Sequence, residues 1–145
     1  MVVTIHTLDE LAAEAARFVA TLSPGAGATL VTLSGELGTG KTAFTKAVAK
    51  VLGIEDIVNS PTFVLEKIYL LGGPTPKYAR LVHIDAYRLE KGSDLAPLGF
   101  DELMQEPNNL IFLEWPERVT DALPVPAAKL LLKLLPDGSR TISYD

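Results

Sequence analysis

Cysteine is absent from this chain, and that omission removes disulfide frameworks, thiolate metal sites and cysteine nucleophiles from consideration. Long apolar runs are missing too. The longest, AAKLLLKLL at 127–135, is broken by Lys129 and Lys133 and is too short to span a bilayer. The opening MVVTIHTLDE lacks the basic-then-apolar order of a secretory signal, so a soluble cytoplasmic protein with no membrane partner is expected. No dense Lys/Arg cluster occurs, and at a net charge of −5 the surface as a whole should repel nucleic acid. Direct contact with nucleic acid is therefore not expected. Histidine occurs only twice, without metal-ligand companions, and His6 and His83 read as structural. Internal repeats and low-complexity linkers are lacking as well.

What is there suits a globular chain. Apolar residues make up 48% and charged residues 21% of 145 positions, enough for a single domain over residues 1–145 with its own core. Val2–His6 alternates like a short strand. Thr7 and Glu10 carry capping-box spacing ahead of a helix over Leu8–Leu22, which SPGAGA at 23–28 ends. Thr29–Leu33 reads as a buried strand, and Lys41 to about Leu52 as a helix with Gly53 as its C-cap. Further strands are predicted at Val64–Leu71, Ala79–Ile84 and Asn109–Leu113, with a turn at 72–76 and a short helix within 92–107. Lys129–Leu135 and Thr141–Tyr144 form a hairpin around PDG. Apolar strands mixed with amphipathic helices predict an α/β fold: a mainly parallel central sheet flanked by helices, with antiparallel hairpin strands at its edges.

Between strand and helix stands GELGTGKT, residues 35–42, with the spacing G-x-x-x-x-G-K-[ST]. Chance would give this pattern in about half a percent of chains this long. Its glycines let backbone N–H groups curl around phosphate oxygens, and the helix start directs its dipole at the same anion. Gly38, Thr39, Gly40, Lys41 and Thr42 are thus candidate nucleotide-binding residues. Lys41 would reach the β- and γ-phosphates, and the Thr42 hydroxyl would ligate Mg²⁺.

Two apolar strands end in acids, LVHID at Asp85 and LIFLE at Glu114. Such positions lie on the ligand-binding rim of an open α/β sheet, so both are candidates for holding metal and orienting water. Spacing does not distinguish which does which, and either alone could be a surface acid opening a loop. Asn59–Phe63, NSPTF, occupies the place of a switch segment, with hydroxyls at Ser60 and Thr62; an ordinary turn is the alternative. Arg88 could neutralise phosphate or pair with an acid, and Trp115 could stack on a ligand or pack in the core.

Together GELGTGKT, NSPTF, HIDAYRL, LGFDE and LEWPERV resemble, in order and spacing, the bacterial TsaE (YjeE) family over about residues 5–119. The resemblance implies a small P-loop ATPase, slow alone, binding ATP and Mg²⁺. It further implies action on the TsaB–TsaD enzyme pair that puts threonylcarbamoyl on adenosine in tRNA. It matches Lys41 to the phosphate lysine, Thr42, Asp85 and Glu114 to the metal and hydrolytic residues, Ser60 and Thr62 to the switch, and Trp115 to the tryptophan beside the site. An adenine pocket near the first helix, close to Asp9 and Glu10, is also implied. Ala43 departs from the usual Thr or Ser; its backbone N–H can still meet the α-phosphate, at a loss of about 1 kcal/mol for one hydrogen bond. The protein is expected to be monomeric when alone. A small-molecule kinase is the alternative activity, but the five arginines, at 17, 80, 88, 118 and 140, form no lid-like cluster. A nucleotide-gated adaptor that does not hydrolyse is a third.

Overall fold

In the computed structural model, which describes residues 1–54, 65–71 and 77–145, β1 (Val2–Ile5) turns into α1 (Leu8–Thr21) with Thr7 as its N-cap. The Thr7 side chain accepts from the Glu10 amide at 3.1 Å, and Glu10 Oε1 accepts from the His6 amide at 3.1 Å. The first bond satisfies a donor of the helix start; the second holds the residue before the cap, one position short of a full capping box. β2 (Thr29–Ser34) leads through the glycine-rich loop to α2 (Lys41–Val51). Past its end, the Gly53 amide donates to Lys50 O at 3.1 Å and the Ile54 amide to Ala49 O at 3.0 Å. That is a Schellman closure, with Gly53 at φ 86°.

β3 (Glu66–Leu70) and β4 (Arg80–Asp85) follow, then a 3₁₀ turn at Gly92–Leu98 and the short α3 (Phe100–Met104). β5 (Asn109–Glu114), 3₁₀ turns at Pro116–Arg118 and Thr120–Ala122, β6 (Ala128–Leu134) and β7 (Arg140–Tyr144) complete the described chain. The predicted switch residues Ser60 and Thr62 and the turn at 72–76 lie outside the described residues.

The strands form one sheet in the order β1-β7-β6-β2-β5-β4-β3. The inner strands β6, β2, β5 and β4 run parallel, whereas β7, β1 and β3 join antiparallel at the flanks. The α/β class with antiparallel edges is therefore what the chain adopts. On one face Val31, Leu33, Leu110 and Phe112 meet Phe18 of α1 and Phe44 and Val48 of α2. Phe44 and Phe112 stack there at 6.5 Å. On the other face Val82, Ile84, Ile111 and Leu113 pack against Leu95, Phe100 and Val119. Covering both faces is why the inner strands read as continuous apolar runs.

Glu14 ties α1 to the sheet. Its carboxylate accepts from Arg17 Nε at 2.8 Å and Nη2 at 2.6 Å, and the Tyr144 hydroxyl donates to it from β7. The Arg17 bonds, aided by Tyr144, hold this buried carboxyl below its ordinary value of 4.5 against the opposing effect of burial. A folded-state value below the unfolded one stabilises the fold above the unfolded value, and that contribution disappears as pH falls through the folded value. Glu14→Gln should therefore melt at a temperature less sensitive to acidification from pH 4.5 downward. Melting curves over that range check this; parallel acid responses of variant and parent would remove Glu14 from the explanation.

Candidate functional site

β2 delivers the chain into the glycine-rich loop beside β6, and the approach is close. A Cβ on Gly35 would stand 2.6 Å from the Leu132 carbonyl oxygen, so no side chain fits there. Gly40, at φ 103°, is the N-cap of α2, and a Cβ on it would meet Arg140 Cδ at 3.0 Å. With no side chain capping it, the first turn of α2 keeps amides available for an anion. Thr39 turns inward instead, its Oγ1 donating to Glu36 O at 2.8 Å, so its side chain shapes the loop.

Lys41 is only 5% exposed. Its Nζ donates to the carbonyls of Gly35 and Glu36 and lies 4.3 Å from the centroid of the Trp115 ring. Burial pushes this ammonium below its ordinary pKa, while Glu114, Glu117 and Asp85, in falling order, pull it back up. Thr42 is half-buried and Ala43 exposed. Gly38, Gly40, Lys41, Thr42, Ala43, Asp85 and Glu114 all line one cleft of about 480 Å³.

The two acids meet through strand register. β4 and β5 are parallel neighbours that pair Asp85 directly with Glu114. Period-two alternation puts both on the α2 face, in step with Leu81 and Phe112. Both are buried, and the Asp85 Oδ1 accepts from the Tyr87 amide at 2.9 Å. Glu114 Oε2 lies 2.5 Å from Nε2 of His83, whose side chain is fully buried. The sequence reading gave His83 no part in the site. Its parity with Asp85, two residues on, was the available signal; the partnership of β4 with β5 was not.

Trp115 follows with φ 60° and ψ 51°, a left-handed backbone that is costly for a bulky residue. Its ring stands 5.0 Å from that of Tyr87, and Arg118 lies over Tyr87 at 5.4 Å. The indole therefore packs on the core below and faces Lys41 above. Arg88 is exposed on the turn after β4. Among the described residues that line the cleft, the arginine is Arg140, from β7. Arg140 also borders an adjoining groove of about 170 Å³ walled by Ile5, Leu8, Leu11, Leu132 and Ile142. The groove meets the first helix through Leu8 and Leu11.

The side-chain oxygen donors lining the cleft with Lys41 include the Thr42 hydroxyl and the carboxylates of Asp85 and Glu114. Among the described residues, no three or more His, Cys, Asp or Glu side chains group to hold a metal unaided. No described helix is long and apolar enough to cross a membrane.

Residues 5–142 match the sequence model of a family described as threonylcarbamoyl adenosine biosynthesis protein TsaE. The chain is 39% identical over 115 residues to the tRNA threonylcarbamoyladenosine biosynthesis protein TsaE of Bacillus subtilis, covering 79% of this chain and 68% of that one. Against the protein of the same name from Rickettsia bellii it is 35% identical over 137 residues, 94% of this chain and 88% of the other. Among solved structures, YdiB from Bacillus subtilis superposes with a TM-score of 0.76 at 29% identity, over 99% of this chain and 83% of that one.

Proposed function

This chain belongs to the TsaE family, and from that premise we propose that it is a magnesium-dependent ATPase supporting threonylcarbamoyladenosine modification of tRNA by acting on the TsaB–TsaD pair. One observation carries the reading: Lys41, Asp85 and Glu114 converge in a single cleft at the start of α2. The neighbouring groove, with its apolar walls, suits the base.

The site fits magnesium by its chemistry. A hydroxyl and two carboxylates are hard oxygen donors, and too few to enclose an ion without phosphate oxygens, which is how Mg²⁺ is commonly held. Thr42 and Asp85 would hold it, leaving Glu114 to water, and when bound it would supply neutralisation of phosphate charge.

The rest falls to the chain. Backbone amides of Gly38, Thr39, Gly40 and Ala43, with the α2 N-terminus, cradle the phosphates, and Lys41 supplies their cation. Glu114 orients a water and takes its proton as the water oxygen bonds to the γ-phosphorus. The bond from that phosphorus to the bridging oxygen breaks, and ADP leaves with the electron pair. Ser60 and Thr62 form the segment that senses the γ-phosphate. The acidic surface suits a cytoplasmic module that works on proteins and leaves tRNA to them.

The test compares ATP hydrolysis by the chain alone and with purified TsaB–TsaD. Turnover should be slow alone and faster with the pair, with the phosphate released to water. Equal rates in both mixtures, or phosphate found on a nucleoside, would count against the reading.

A further inference from the structure

The neighbours of His83 on β4 are Leu81, Val82 and Ile84, all fully buried and apolar. An imidazole there gives up water that a leucine would not miss, and it needs a polar partner in return. Its Nδ1 has none. Nε2 has Glu114 Oε2, at 2.5 Å. Since a carboxylate can only accept, Nε2 carries the hydrogen of this bond.

Building on the ATPase reading, we infer that His83 is a positioning residue that fixes the Glu114 carboxylate for its work on water. With Oε2 held from within the sheet, rotation of the carboxylate is restricted and Oε1 is left to face the cleft. The restriction matters because of Lys41. Glu114 is the acid that acts most strongly on that ammonium, and a carboxylate with neither oxygen held would turn toward it. The pair would then occupy each other, one lost to water and the other to phosphate. His83 keeps the two charges near one another without letting them collapse together. It is fully buried and does not line the cleft, so its effect passes through Glu114.

Two substitutions separate this role from packing. His83→Leu keeps bulk and removes the donor; His83→Gln keeps an N–H near Nε2. Turnover of ATP should fall about 10–100-fold in His83→Leu, the usual size for loss of a residue that orients a ligand or base. Binding of ATP should change by no more than about threefold, which makes the loss one of kcat. His83→Gln should recover most of it. In a Glu114→Ala background His83→Leu should cost nothing further, because the two act as a unit. Equal losses in the Leu and Gln variants with unchanged melting temperatures, or additive losses in the double variant, would overturn the inference.

A second measurement does not depend on turnover. The chain has two histidines and His6 is exposed, so in ¹⁵N-histidine-labelled protein the buried Nε2–H of His83 should give a slowly exchanging, downfield proton signal. Glu114→Ala should abolish or move that signal. Its absence from the parent protein would refute the pairing. If the parent hydrolyses no ATP with or without its partners, the ATPase reading falls instead, and the resonance still decides whether His83 holds Glu114.

Discussion

Glu114→Gln is expected to bind ATP about as well as the parent chain and to hydrolyse it about 10²–10⁴-fold more slowly, the range for removing a general base. At 1.36 kcal/mol per tenfold, that is about 2.7–5.4 kcal/mol of barrier. The substitution keeps shape and size, and its carbonyl oxygen can still accept from His83. What it removes is the charge and the site for the proton of the attacking water. Binding should be spared because, in the proposed function, the amides at the start of α2 and Lys41 grip the phosphates. Glu114→Ala is a harsher version. It also leaves His83 without its partner and takes from Lys41 its strongest acidic neighbour, at a folding cost of about 1–3 kcal/mol for the unsatisfied group. Single-turnover phosphate release together with equilibrium nucleotide binding makes the distinction. Hydrolysis within about threefold of the parent would sink Glu114 as the base and favour a nucleotide-gated adaptor.

Lys41→Ala should act on the other half of the cycle, lowering affinity for Mg-ATP by about 10²–10³-fold. A charge-assisted hydrogen bond contributes about 1.5–3 kcal/mol, and Lys41 is placed to make one with each of two phosphates. The lower part of the resulting sum is the better expectation, since Nζ already donates to the Gly35 and Glu36 carbonyls and a phosphate competes with them. Stability should hardly move. Removing a buried ammonium relieves the desolvation that depresses its pKa, while two carbonyls lose their donor, and these changes oppose each other. Titration with Mg-ATP and a melting curve without it check both halves. Undiminished affinity in a folded Lys41→Ala protein would remove the loop from phosphate binding.

Local signals in the sequence translated directly into structure. The Thr7 cap, the Gly53 closure and the strand–loop–helix around GELGTGKT each depend on residues within a few positions of one another. Strand ends were nearly as legible: the acids Asp85 and Glu114 are the last residues of β4 and β5. What stayed hidden was pairing. Nothing local says that β4 and β5 are parallel neighbours in register, yet that register sets Asp85 against Glu114 and brings His83 within reach. Arg140 was invisible for the same reason: its place beside Gly40 follows from β7 folding back along β6, next to β2. The first helix offered Asp9 and Glu10 as its conspicuous polar residues, but its geometry turns Leu8 and Leu11, three apart and on one side, toward the groove.

β1 has four residues and lies at the outer edge of the sheet, paired with β7 from Val2↔Ser143 to Ile5↔Arg140. The groove beside the phosphate loop takes one wall from Ile5–Leu11 and the other from Leu132–Ile142. Unzipping that single edge strand would therefore dismantle the groove while leaving the parallel centre intact. Short edge strands are also where a fold opens most readily. An occupant present at a hundred times its dissociation constant adds about 2.7 kcal/mol to the zipped state. Ligand occupancy and the fraying of a sheet edge are then one equilibrium, so an occupant of the groove would alter how readily β1 lifts from β7.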